Sequence, residues 1–89
     1  MYHRAVSVSA YTAPGGIVMI RLDCEAEYDA SEIVEDSAGC VDLDADGNVI
    51  AIEIIDRPAF NLPAVAAAYG IEELIPAIEA AIAAAKPGP

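Results

Sequence analysis

The chain has 89 residues, with 15 acidic against 4 basic side chains, a formal net charge of −11, and 56% apolar residues. Charge and grease together exclude simple disorder, which pairs high charge with low hydrophobicity, and the length admits one small domain. Arg4, Arg21, Arg57 and Lys86 are scattered, which argues against direct nucleic-acid binding, because neutralising phosphates needs clustered cations.

Met1–Ala10 holds no apolar core behind a basic stretch, so no secretory signal is expected. No run approaches the roughly 18 apolar residues needed to cross a bilayer. The expectation is a soluble, cytoplasmic protein with no membrane role and no cofactor. In that setting Cys24 and Cys40 are expected to be unbridged packing residues. There is no CxxC pair, and His3 is the single histidine, so a zinc site is not expected.

Before Pro58, β-branched residues alternate with polar ones; after it, alanines dominate. His3–Tyr11 reads as a first strand, with Val6, Val8 and Ala10 on one face. Pro14-Gly15-Gly16 is a turn. Ile17–Leu22 is a second strand, apolar on both sides. Asp23–Ala38 is acidic and less regular, with Glu32–Glu35 as a short edge strand. Cys40–Asp44 and Val49–Ile55 flank Ala45-Asp46-Gly47-Asn48, and Asp-Gly between alternating runs signals a hairpin with a type I′ turn. A two-residue loop at Asp46 and Gly47 would pair Leu43 with Ile50, Val41 with Ile52, Asp44 with Val49 and Asp42 with Ala51. A three-residue loop in the same ladder would set Val41 against Glu53, so the shorter loop is expected.

Asn61 is a helix N-cap with Pro63 in the first turn, and Leu62–Tyr69 is a short helix stopped by Gly70. From Ile71 a second helix carries Ile71, Leu74, Ile75, Ile78 and Ile82 at three- and four-residue spacing. Pro76 either starts a turn there or bends the helix. The fold class expected is α+β, a small antiparallel β-meander of about four strands with the C-terminal helices packed on one face. Its core should hold Ile20, Leu22, Val41, Leu43, Ile50, Ile52, Ile54, Leu74, Ile75 and Ile78.

Asp42-x-Asp44-x-Asp46-Gly47-x5-Glu53 matches the EF-hand loop expression at its ligand positions. The chemistry is reasonable for a hard cation that takes carboxylate and carbonyl oxygens. The context argues against it: a helix should leave through the final Glu, and here that Glu sits in Val-Ile-Ala-Ile-Glu-Ile-Ile. The expectation is a hairpin with an acidic solvent face. Asp42, Asp44, Asp46 and Glu53 are its weak cation candidates, and no resident metal is expected.

Tyr11, Ile20-Arg21-Leu22, Val41-Asp42-Leu43-Asp44, Gly47 and Ile52-Glu53-Ile54 together resemble a bacterial family, domain of unknown function 2283, over Tyr11 to Asp56. The family's Tyr-Asp and Ala-Asp pairs are replaced here by Tyr11-Thr12 and Gly15-Gly16, and Ala51 stands where a glycine is usual. The resemblance implies a compact meander with a helix on it and an antitoxin-like or accessory role. It implies no catalytic residues.

An enzyme is not expected. The hairpin carboxylates sit on an open strand surface without the desolvation that shifts a pKa, and no base stands near either cysteine in sequence. A protein-interaction domain fits better, its charge speeding association with a small basic partner. Asp23, Glu25 and Glu27 are the candidates for that contact. One helical layer can cover only one face of Ile17–Leu22, so Ile17 and Met19 are expected to be buried by a partner, a second copy first. A third reading is nucleic-acid mimicry by Asp23, Glu25, Glu27, Asp29, Glu32, Glu35 and Asp36.

Overall fold

The computed structural model describes residues 8–22 and 26–87. Five antiparallel strands form the body of one sheet: β1 (Ser9–Thr12), β2 (Val18–Arg21), β3 (Ala30–Val34), β4 (Gly39–Leu43) and β5 (Val49–Ile54). A two-residue β6 (Lys86–Pro87) runs parallel to β1, and the strand order is β3-β4-β5-β2-β1-β6. The meander β3–β5 is thus extended on its β5 side by the hairpin β1–β2. The class is the expected α+β, with five antiparallel strands rather than about four. The expected start of β1 at His3 lies outside the described residues.

Alternation explains which face is covered. Val18 and Ile20 of β2, Val41 and Leu43 of β4, and Ile52 and Ile54 of β5 are buried, and they form one cluster with Leu22, Leu62, Val65 and Ile78. Leu62 and Val65 come from α1 (Leu62–Tyr69) and Ile78 from α2 (Ile75–Ala83). Helices this short are marginal alone in water, so their stability comes from this contact. Fully burying a side chain such as Val65 or Ile78 contributes about 2 kcal/mol. Leu74 and Ile75, expected in the core, are half-buried and pack against the cluster, whereas Ile50 is buried outside it. Among the described residues no helix is long and apolar enough to cross a membrane.

The helix ends follow the sequence closely. Asn61 caps α1, its Oδ1 accepting the Ala64 N–H at 3.2 Å, and the helix ends at Gly70. The second helix begins later than expected. Glu72–Leu74 is a 3-10 turn and α2 starts at Ile75, with Pro76 in its first turn, where a missing N–H costs nothing. A further 3-10 turn, Arg57–Ala59, follows β5.

The β4–β5 hairpin corrects the expected register. Val41 pairs with Ile52 and Asp42 with Ala51 as expected, but Leu43 then pairs with Val49, with a shift between Asp42 and Leu43. Ile50 is the extra residue, and Ile50, Ala51 and Ile52 are buried in succession. The loop has three residues, closed by Asp44 N–H to Asn48 O at 3.0 Å and Gly47 N–H to Asp44 O at 3.0 Å. Type I′ needs positive φ at two central residues. Gly47 has φ 83, and among the described non-glycine residues positive φ occurs at Asp36 and Ala38, not at Asp46. The turn is therefore a type I turn closed by a left-handed glycine. The bulge absorbs the one-residue mismatch that made a three-residue loop look unfavourable.

Candidate functional site

Two surfaces carry the residues that sequence singled out. The first is an open hollow of about 430 Å³ at the hairpin end of the sheet, lined by Ala26, Glu27, Tyr28, Asp29, Asp44, Ala45 and Asp46. Two chain segments meet there: the stretch entering β3 and the β4–β5 loop. The Asp29 N–H donates to Leu43 O at 2.8 Å, tying the first segment to β4. In the loop, Asp44 Oδ1 accepts the backbone N–H groups of Asp46 at 3.0 Å and Asn48 at 2.9 Å, and its Oδ2 accepts the Asn48 amide. Asp44 thus shapes the turn, while Glu27, Asp29 and Asp46 are exposed at the rim. Glu27 belongs to this hollow; Asp23 and Glu25, its expected companions, lie outside the described residues. In sequence Asp29 stands out only as a member of the acidic run read as a nucleic-acid mimic. Its meeting with Asp46 depends on the bulged loop, which has no signal in a plain alternating pattern.

The second surface is the sheet face opposite the helices. Cross-strand pairing gives one row of Ile33, Cys40, Glu53, Met19 and Tyr11, and another of Ser31, Asp42, Ala51, Arg21 and Ser9. Ile33 is 77% exposed and Met19 and Tyr11 are half-buried. Alternation places Ile17 and Ile55 on this same face, just beyond the ends of β2 and β5; Ile17 is half-buried and Ile55 exposed. Ser31 Oγ donates to Asp42 Oδ1 at 2.7 Å, and Tyr28 OH lies 3.0 Å from Ser31 Oγ, so the tyrosine donates into the pair and holds the carboxylate.

The four residues of the calcium expression divide between the two surfaces. Among the described residues, the ligating atoms that gather within 4.8 Å of one another are those of Cys40, Asp42 and Glu53. Asp44 is engaged in the loop and Asp46 stands at its exposed tip. The hairpin flanks of the expression are strands, as the sequence indicated. Cys40 is a free thiol. Burial pushes its pKa up, and the Glu53 and Asp42 carboxylates raise it further. A thiol held protonated is a poor nucleophile.

A third feature ties helix to sheet edge. The Tyr69 OH donates a short hydrogen bond to Glu32 Oε1, joining the end of α1 to β3. That bond first, then burial, pushes the phenol up to about 12. Glu32 is therefore engaged structurally. Comparison with protein-family models, with curated proteins and with solved structures returned no match.

Proposed function

We propose that the chain is a non-catalytic acidic interaction domain that captures a small basic protein, in an antitoxin-like or accessory role. The observation that carries this reading is the convergence of Glu27, Asp29, Asp44 and Asp46 on one hollow from two chain segments. A lysine or arginine side chain entering there meets the exposed Glu27, Asp29 and Asp46 carboxylates beside a loop that Asp44 already holds, so the partner's charge is met without reordering that loop. The net charge of −11 adds long-range steering toward a basic surface.

The test is affinity capture from native lysate at low and high salt, comparing the wild type with a Glu27→Lys, Asp29→Lys, Asp46→Lys variant. The expected result is one small basic protein, retained by the wild type at low salt, released at high salt and missed by the variant, whose melt stays unchanged. Identical retention by both proteins refutes the reading. Capture of a nucleic-acid-binding protein that competing DNA releases would move it to mimicry by the same segment.

A second reading, self-association, is favoured by the 77% exposure of Ile33 on a sheet face that also carries Ile17, Met19 and Ile55. This reading is compatible with the first, because the hollow lies at the end of the sheet.

A further inference from the structure

Strand β5 is the middle of the five antiparallel strands. About it, one row of the open face is antisymmetric in charge: Asp42 stands one strand to one side, Arg21 one strand to the other, and the small Ala51 lies between them. Among the described residues Arg21 has no ion-pair partner. The Asp42 carboxylate accepts the Ser31 hydroxyl through Oδ1.

A two-fold axis lying along β5, parallel to the sheet, exchanges β4 with β2 and β3 with β1. It sets Asp42 of one copy over Arg21 of the other, twice. It also sets Ile33 over Tyr11 twice and Cys40 over Met19 twice. On the axis itself Ala51, Glu53 and Ile55 meet their own symmetry mates. Sheets packed face to face keep their strands within about 30° of each other, which displaces a residue one strand from the axis by only about 2 Å. The length of an arginine side chain covers that offset.

We propose that the open face is a homodimer interface, two copies packing sheet to sheet about a two-fold axis along β5 and joined by reciprocal Asp42–Arg21 pairs. The proposal rests on the self-association reading above and gives it a geometry. The arrangement is isologous, so each pair is made twice. The opposed Glu53 carboxylates oppose it, and the Ile55 contact beside them offsets part of that cost. The projected face, five strands wide and about five residues long, is about 400 Å² per copy. That belongs with small, reversible interfaces, so dissociation in the micromolar range is expected.

Sedimentation equilibrium of the full chain under reducing conditions, from low micromolar to millimolar concentration, tests this with four variants. Asp42→Arg and Arg21→Asp each remove two pairs and place like charges together, and each should weaken the dimer by about tenfold or more. Combining them restores both pairs reversed, and should return the dissociation constant to within about threefold of wild type. Glu53→Gln should tighten the dimer. A nonspecific charge effect gives a different pattern: Asp42→Arg lowers the net negative charge and would tighten association, while Arg21→Asp would loosen it. A wild type that stays monomeric at millimolar concentration overturns the self-association reading itself. A dimer indifferent to both single reversals, or one the double variant fails to restore, overturns this interface and leaves that reading standing. Both positions lie on the open face, and a thermal melt of each variant checks that folding is unchanged.

Discussion

Gly39 offers the sharpest test of how the C-terminal half is fixed to the sheet. It is buried at the start of β4, and a Cβ built there would lie 2.8 Å from Phe60 Cε1 and 3.2 Å from Cδ1. Phe60 is half-buried against the core, between the Arg57–Ala59 turn and the Asn61 cap of α1. The neighbouring Asn61 N–H donates to Ser37 O at 2.9 Å. Ser37 is itself fully buried, its hydroxyl donating to Val34 O at 2.7 Å while accepting the Gly39 N–H at 3.0 Å.

Gly39→Ala therefore forces the ring and the serine turn against each other. Overpacking of this kind costs about 1–3 kcal/mol. Reduced freedom of the unfolded chain returns about 0.4–1 kcal/mol, leaving a net loss of about 1.5 kcal/mol. For a chain of this size that is a fall in Tm of about 5–10 °C. Urea unfolding followed by far-UV circular dichroism should show a lower midpoint with an unchanged slope. The control is the same substitution in a Phe60→Leu background, where the clashing edge is gone and Gly39→Ala should cost nothing or stabilise slightly. A loss below about 0.3 kcal/mol in the wild type, or an equal loss in both backgrounds, refutes the contact as the cause.

Two further outcomes follow from the helix contacts. Tyr69→Phe removes the bond to Glu32, and since that bond lies at a partly exposed edge the loss should be about 1 kcal/mol in a urea melt. Because the folded-state pKa of Tyr69 is raised to about 12 above the ordinary value of 10.0, its contribution is complete below pH 10 and is lost as pH climbs toward 12. Wild type and Tyr69→Phe should accordingly converge over that window, and a gap independent of pH would contradict the assignment. Asn61→Ala removes the side-chain acceptor for Ala64 N–H and should cost about 1 kcal/mol. Helicity in the native state would stay near wild type, because the sheet still holds α1, and a neutral substitution would show the cap is not used.

The parts of the fold legible in sequence are those with local chemistry. Asn61, Pro63 and Gly70 bound α1 as read because capping, a missing N–H and a left-handed stop each act within a turn. The core strands β4 and β5 are legible from alternation and β2 from its apolar run, and the cover on one face of β2 follows from there being a single helical layer. Non-local features were not. The β4–β5 bulge changes the loop without changing composition, and it carries Asp46 to the hollow beside Asp29. The β3–β4 turn has positive φ at Asp36 and Ala38; Asp36 and Ser37 are ordinary turn residues, but nothing in the residue type of Ala38 announces a left-handed position. Its conformation is held instead by tertiary bonds, including Ile55 N–H to Ala38 O at 2.9 Å. The order β4-β5-β2 could not be read from strand signals either, and it is what puts Asp42 and Arg21 on opposite sides of Ala51.

The role proposed for the carboxylates around the β4–β5 loop is to receive basic side chains of a partner. The most direct measurement is a ¹H–¹⁵N correlation titration of the labelled protein with a short arginine-rich peptide amide at low salt, repeated at high salt. Saturable shifts are expected on 26–29 and 44–46, lost at high salt and absent in the Glu27→Lys, Asp29→Lys, Asp46→Lys variant. Shifts scattered evenly over the acidic surface, or an unchanged response in the variant, would contradict it.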